Sequence, residues 1–340
     1  MDDFRFSLFI IATVGLQALL SAAPAAGEEP PQVVATIPPI HSLVAAVMVG
    51  VGEPELLIRG GQSPHTFAFR PSDARALQDA DVVFWVGRSF EAFVERPLAN
   101  LTRDANVVEL SDVKGLTLLP AREGGAFEAH GHAQHEKQAE GERDRDQAED
   151  ADQGSEVMAA TEYDHEGDFN GHIWLDPDNA ARIVEAVAAV LSERDPANAP
   201  VYAANRDALK ERLENMKHDL SDLLAPARGR PYIVLHDAYP YFERAYGLLP
   251  VGSITVSPDR RPGARRLAEL RDKISELGAV CVFGEPQFPP AMVETVVEGT
   301  GAGRGELDPL GAALSPGPEL YFQLMENMAR SFAACLAKGS

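Results

Sequence analysis

Short apolar runs alternate with helical patterns along the first part of the chain. Residues 32–37, 55–58 and 81–86 are rich in Val, Ile, Leu and aromatic side chains, which is typical of buried strands. The intervening residues 42–49 and 72–79 place apolar side chains at helical spacing. The pattern therefore predicts a βαβαβ unit, in which the strands are parallel.

The same alternation returns in the second half. Residues 230–235 form an apolar run that leads into a helical pattern through Tyr246, and residues 279–283 form another run. Between them, 265–277 carries Leu267, Leu270, Ile274 and Leu277 on one helical face. The sequence therefore predicts an α/β fold with two lobes, at residues 30–195 and 228–340.

A long helical stretch, residues 196–226, separates the two lobes. Its apolar side chains are spaced 4, 3, 4 and 3 residues apart, which forms a single stripe: Leu209, Leu213, Met216, Leu220 and Leu223. An ordinary packed helix would explain this stripe. Its length and its position between the two patterns favour a linking helix that spans both lobes, and a continuous helix restricts hinge motion.

The N-terminus carries a targeting pattern. Residues 6–20 are apolar, too short for a comfortable membrane span, and Ala23-Pro-Ala25 has the small-x-small form of a cleavage site. We therefore expect residues 1–25 to be an export signal cleaved near Ala25, and the mature protein to be soluble. An uncleaved anchor is the alternative, because Asp2 and Asp3 outnumber Arg5 where positive charge is usual.

Charge and cysteine content exclude several classes of protein. The 340 residues include 30 Lys plus Arg and 52 Asp plus Glu, for a formal charge of −22, so the chain lacks the basic surface that holds nucleic acid or anionic lipid. Only two cysteines occur, which excludes multi-cysteine zinc and iron–sulfur sites.

Much of the negative charge lies in one segment, residues 123–168. It contains 15 acidic and 3 basic residues, a net charge of −12, and too few large apolar side chains to form a core. We expect a disordered insert. A solvated acidic loop is the simplest interpretation, but four histidines among the acids predict weak zinc binding there: His130, His132, His135 and His165.

Three other histidines lie at predicted loop edges. His65 follows the strand at 55–58, His236 follows the strand at 230–235, and His172 precedes a helix with Asp176 at its N-cap and Pro177 at N1. Each alone is explained by hydrogen bonding or capping. Together they provide three neutral imidazoles, which suit tetrahedral Zn²⁺ if the two lobes face each other across a cleft.

Five segments, in order along the chain, resemble the ZnuA-like zinc-uptake solute-binding proteins of bacterial ABC importers. The resemblance covers essentially the whole mature chain, with the His-rich insert in its expected place. The segments are Gly-Gln-Ser-Pro-His65-Thr-Phe, Gly-His172-Ile-Trp-Leu-Asp-Pro, Leu-His236-Asp-Ala-Tyr-Pro, Phe283-Gly-Glu-Pro-Gln and Leu307-Asp-Pro-Leu-Gly.

The resemblance implies two α/β lobes joined by one long rigid helix, with zinc between them on His65, His172 and His236. It places Asp308 close to the metal, either as the fourth ligand or through a bound water; the alternative is that Asp308 caps a turn before Pro309. Glu285 is expected to orient His236. His41 and His218 are expected to be bystanders, His41 as a capping or cleft-rim residue and His218 on the polar side of the linking helix.

The resemblance also implies a function and its partners. We expect a periplasmic, monomeric receptor that captures Zn²⁺ and delivers it to the membrane permease of an ABC importer, with a periplasmic zinc chaperone as a further partner. A manganese or promiscuous receptor is one alternative, although Mn²⁺-binding relatives have a carboxylate at the position of His236. An adhesin or metal buffer without a transporter is another. A zinc hydrolase is disfavoured, because the chain has no His-Glu-x-x-His or Gly-x-Ser-x-Gly motif.

Cys281 and Cys335 both fall in the predicted C-terminal lobe, the first in a strand and the second in a helix at 319–337. Two cysteines in an exported protein most simply pair, and the resemblance also implies this disulfide. Two buried free thiols are the alternative.

Overall fold

The first lobe is built on a parallel four-stranded sheet. The computed structural model describes residues 29–59, 69–102, 104–122, 127, 169–255 and 263–337. The strands lie in the order β2-β1-β3-β4 and every pair is parallel. The elements are β1 (Val33–Ala35), α1 (Pro38–Met48), β2 (Glu55–Leu56), α2 (Pro71–Asp79), β3 (Val82–Trp85), α3 (Arg88–Leu101) and β4 (Asn106–Glu109).

The predicted βαβαβ unit is confirmed, with one shifted boundary. Strands β1 and β3 are buried along their whole length, as expected of central strands covered on both faces. Helix α1 begins at Pro38, four residues before the predicted start at 42. The reason is that proline, which lacks an N–H and has a fixed φ, suits the first turn of a helix.

Two consecutive helices follow the first sheet and pack against each other: α4 (Pro177–Arg194) and α5 (Ala199–Leu224). The predicted cap of α4 is confirmed, since the Asp176 carboxylate accepts a hydrogen bond from the Asp178 N–H at 2.8 Å. The 26 residues of α5 span about 39 Å. Its stripe is buried except for Leu223, which is exposed while the neighbouring Leu224 is buried. The predicted domain boundaries stay a prediction.

The second lobe repeats the design of the first. Its strands are all parallel, in the order β6-β5-β7-β8. The elements are β5 (Pro231–Val234), α6 (Pro240–Tyr246), β6 (Leu249–Ser253), α7 (Ala264–Leu277), β7 (Cys281–Gly284), α8 (Ala291–Val297), β8 (Gly303–Glu306) and α9 (Leu320–Leu336). The two-lobed α/β prediction is therefore confirmed. Helix α6 begins at Pro240, so His236 lies in the turn before the helix and does not open it.

The C-terminal helix α9 connects the lobes a second time. Its first turn contacts the first lobe, where the Tyr321 N–H donates to Ser42 Oγ at 2.9 Å and the Tyr321 hydroxyl donates to the Trp174 carbonyl at 2.8 Å. Its last turn is held to β7 by the disulfide Cys281–Cys335, with the Cα atoms 6.0 Å apart. The predicted disulfide is confirmed. One apolar cluster accordingly contains side chains of both lobes.

Among the described residues, no helix is both long and apolar enough to cross a bilayer. The predicted export signal at 1–25 lies outside those residues.

Candidate metal site between the lobes

His172 belongs to the first lobe and is fixed by aromatic packing. It precedes the short 3₁₀ turn Ile173–Leu175 and is only 7% exposed. The Phe90 ring packs edge-on against its imidazole at 4.9 Å between centroids, and the Trp174 ring lies 5.2 Å away. Trp174 in turn donates its indole N–H to the carbonyl of Pro309 in the second lobe, at 2.9 Å. The His172 imidazole therefore lies where the two lobes meet.

His236 reaches the same place from the second lobe. It follows β5, and Glu285 follows β7, the strand that pairs with β5. Because parallel strands end at the same edge of a sheet, the two side chains meet, with 2.5 Å between His236 Nδ1 and Glu285 Oε1. Both side chains are buried. Glu285 thus contacts His236 where an orienting residue would, although its role in metal binding stays a prediction.

The two imidazoles face each other through their Nε2 atoms, which are 3.5 Å apart. Zn–N bonds of 2.0–2.1 Å at a tetrahedral angle place two ligand nitrogens about 3.3–3.4 Å apart. Each ring also has an oxygen beside Nδ1, from Asn170 for His172 and from Glu285 for His236. Such partners direct the Nε2 lone pair towards a metal. One ion fits between the two nitrogens with little movement of either ring.

Asp308 lies in the loop after β8, where its carboxylate is occupied by a turn. Its Oδ1 accepts hydrogen bonds from the Gly311 N–H at 2.9 Å, the Leu310 N–H at 3.2 Å and the Gln287 side-chain amide at 2.9 Å. The alternative interpretation, a turn-capping residue, therefore describes the observed contacts. Its service as a fourth ligand, directly or through water, stays a prediction.

Tyr239 is a residue that the sequence analysis missed. It is fully buried, and its ring centroid lies 6.3 Å from that of His236. Burial first, and then the negative charges of Glu285 and Asp308, hold the pKa of this phenol well above its usual value. The hydroxyl thus stays protonated beside two carboxylates. Its only signal in the sequence is its position three residues after His236.

The other predicted metal-binding histidines are not placed. His65 lies outside the described residues, and so do His130, His132, His135 and His165. Among the residues that the structure describes, no group of three or more His, Cys, Asp or Glu is arranged to hold a metal. The structure therefore brings together His172 and His236, and the third ligand stays a prediction.

The two bystander histidines are both placed. His218 lies on the exposed face of α5, with its Nε2 3.1 Å from Glu214 Oε1, as predicted. The predicted capping role of His41 is wrong, because His41 is the fourth residue of α1, whose N-cap is Ile37. The alternative of a cleft-rim residue stays a prediction. His41 is 7% exposed and its Nε2 lies 2.9 Å from the Pro54 carbonyl oxygen. Burial lowers the pKa of His41, which favours the neutral ring.

A polar cluster links the lobes next to His236. The Arg122 guanidinium of the first lobe pairs with the carboxylates of Asp237, with Nε 3.0 Å from Oδ2, and Glu243, with Nη1 2.8 Å from Oε2. Glu243 also accepts the Tyr232 hydroxyl at 2.9 Å. Burial raises the pKa of Glu243 to about 7, and Arg122 opposes this shift. No spacing pattern could have shown this cluster, because Arg122 lies more than 100 positions before Asp237 and Glu243.

Two parallel-sheet lobes joined by one long helix, with facing histidines at their junction, have the architecture of a solute-binding protein. Residues 33–335 match the family described as "Zinc-uptake complex component A periplasmic". The chain belongs to this family of periplasmic solute-binding proteins, the ZnuA family, whose role is in transport rather than catalysis and whose members work with an ABC permease.

Individual relatives agree with the family assignment. The chain is 47% identical over 306 residues to the high-affinity zinc uptake system protein ZnuA of Brucella suis biovar 1 (strain 1330), covering 90% of this chain and 92% of that protein. It is 35% identical over 306 residues to the protein of the same name from Yersinia pestis, covering 89% and 91%. A crystal structure of ZnuA superposes with a TM-score of 0.69 at 25% identity, covering 90% of this chain and 99% of that one.

Proposed function

We propose that this protein captures Zn²⁺ in the periplasm and delivers it to the membrane permease of an ABC importer. The observation that carries the proposal is the pair of buried imidazoles, one from each lobe, whose Nε2 atoms face each other at 3.5 Å. Membership of the zinc-uptake family supports it, as do relatives named as high-affinity zinc uptake proteins. Removal of the export signal near Ala25, a monomeric state and a periplasmic zinc chaperone as a second partner belong to the same proposal.

The proposed ligands are His172, His236 and His65, with Asp308 or a water in the fourth position. Imidazole nitrogens suit Zn²⁺, whereas Mn²⁺ prefers oxygen ligands. The second lobe provides a histidine at its ligand position, with Glu285 behind it as a hydrogen-bond acceptor. A carboxylate behind a ligating histidine fixes the ring and raises its basicity. These features favour a zinc receptor over a manganese receptor.

The test is a competition titration of the metal-free protein with Zn²⁺ against a chromophoric chelator, repeated with Mn²⁺. We expect His172→Ala and His236→Ala to lower zinc affinity at least 100-fold, because each removes a donor from the ion. His218→Ala is the matched control and should leave the titration unchanged, since His218 lies on the exposed face of α5. An unchanged titration for His236→Ala, or tighter binding of Mn²⁺ than of Zn²⁺ by the native chain, would contradict the proposal.

A further inference from the structure

Asn170 contacts both halves of the proposed metal site, although it is not a ligand. It is buried, 6% exposed, and lies two residues before His172. Its side-chain oxygen Oδ1 lies 3.0 Å from His172 Nδ1 and 3.1 Å from the His172 backbone nitrogen. Its side-chain nitrogen Nδ2 lies 2.5 Å from the backbone carbonyl of Asp237, the residue that follows His236 in the second lobe.

The partners of this amide determine its orientation. A backbone N–H can only donate and a backbone carbonyl can only accept, so Oδ1 must face the N–H of His172 and Nδ2 must face the carbonyl of Asp237. The oxygen that faces His172 Nδ1 is then an acceptor, and Nδ1 must carry the proton. The other nitrogen of the neutral ring, Nε2, therefore presents its lone pair, and this is the atom that points at His236.

The second lobe holds Asn170 at two points. Besides the contact to Asp237, the Tyr241 hydroxyl donates to the Asn170 backbone carbonyl at 2.7 Å. The same hydroxyl accepts the Leu119 N–H at 3.1 Å, and Arg122 pairs with the Asp237 carboxylate. His172, a first-lobe residue, is thus oriented by a side chain that depends on the second lobe for its own position.

We propose that Asn170 is the positioning residue for His172, holding its imidazole in the Nδ1–H tautomer from a place secured by contact between the lobes. The inference rests on the proposed function, because His172 matters to zinc only as a ligand. The Nδ1 partner of His172 is an amide that is held by the opposite lobe, whereas the Nδ1 partner of His236 is a carboxylate of its own lobe, Glu285. Loss of such a partner lowers metal affinity roughly 10–100-fold in comparable sites.

The experiment combines imidazole NMR with zinc titration on the full chain. Long-range ¹H–¹⁵N spectra of the metal-free protein report the tautomer of each ring, and His172→Gln identifies the signals of His172. We expect the Nδ1–H tautomer in the native protein. Asn170→Leu should shift His172 towards the Nε2–H tautomer and lower zinc affinity 10–100-fold. Asn170→Asp, which keeps the acceptor but removes the donor to Asp237, should retain the Nδ1–H tautomer and lose less affinity.

The control is Asn205→Leu, which removes another side-chain amide that donates to backbone carbonyls, those of Val47 and Val49 at the end of α1. It should change neither readout. If Asn170→Leu does not fold, Asn170→Ala is measured in its place. The inference would be overturned if His172 kept the Nδ1–H tautomer in the folded Asn170→Leu or Asn170→Ala variant. Equal losses of zinc affinity in Asn170→Leu and Asn170→Asp would also overturn it. If the native chain fails to bind zinc while its tautomer still depends on Asn170, the proposed function fails and the positioning role stands.

Discussion

Burial also alters the chemistry of single side chains that are not proposed ligands. Glu91 is fully buried at a kink in α3, where its backbone leaves helical geometry with φ −122° and ψ 42°. One carboxylate oxygen accepts the Val86 N–H at 2.7 Å. Burial raises the pKa of Glu91 to about 7, partly offset by its hydrogen bonds and reinforced by Glu109. Glu91 therefore costs stability when it is ionised.

This shift predicts how stability depends on pH. The folded protein binds the Glu91 proton up to about pH 7, whereas the unfolded chain releases it near pH 4.5. The contribution of Glu91 protonation to the free energy of unfolding is therefore complete below pH 4.5 and is lost as pH rises towards 7. It amounts to about 3 kcal/mol. Glu91→Gln keeps an acceptor for Val86 without the charge. In urea unfolding of the metal-free protein, the free energy of unfolding of Glu91→Gln should exceed that of the native chain by more at pH 8 than at pH 5. An equal excess at both pH values would refute the prediction.

At the scale of elements, the sequence predicted the central strands and the edge strand β2, and it missed the other edge strands, β4, β6 and β8. Strands β1, β3, β5 and β7 are short apolar runs, which the hydrophobic pattern detects. Strand β8 reads Gly-Arg-Gly-Glu and alternates between half-buried and exposed positions, and β4 has two exposed and two half-buried positions. These strands lie at sheet edges, where one side of the ladder faces no partner strand. Backbone pairing rather than side-chain burial defines them, and backbone pairing leaves no apolar signal.

The disulfide Cys281–Cys335 stabilises the position of helix α9. It fixes the end of α9 to β7 across a sequence separation of 54 residues. In the chain-entropy model, a loop of that length contributes about 4 kcal/mol by restricting the unfolded chain. The double variant Cys281→Ala/Cys335→Ala should lose stability of this order in urea unfolding. The reduced native protein is the control and should lose a similar amount; a loss below about 1 kcal/mol in both would contradict the prediction.

At the scale of the whole molecule, the site combines residues that no local pattern connects. His172 and His236 are 64 positions apart and lie in different lobes, yet their Nε2 atoms are 3.5 Å apart. Spacing placed each at a strand or helix end and allowed the hypothesis that they share one ion, and the family resemblance then implied that they do. Asn170 and Arg122 gave no signal at all, because their function depends on the surface of the opposite lobe.

The acidic segment 123–168 accounts for more than half of the net charge of the chain, −12 of −22. Its two flanks, Pro120 and Phe169, pair as an antiparallel bridge, so the chain can be rejoined there. Deleting the segment should leave one tight zinc site, because His172 and His236 lie outside it, and should remove only weak additional zinc. Calorimetric titration of both proteins tests this, and loss of the tight site in the deletion protein would show the prediction to be wrong.

Helix α9 begins against the first lobe and ends bonded to the second, and one apolar cluster contains side chains of both lobes. We therefore expect that gaining or losing an ion leaves the outline of the protein nearly unchanged, with almost the same sedimentation rate and scattering envelope in the two states. A permease that accepts only the metal-loaded receptor then has to recognise local differences in the few side chains where the two lobes meet, and not a change in overall shape.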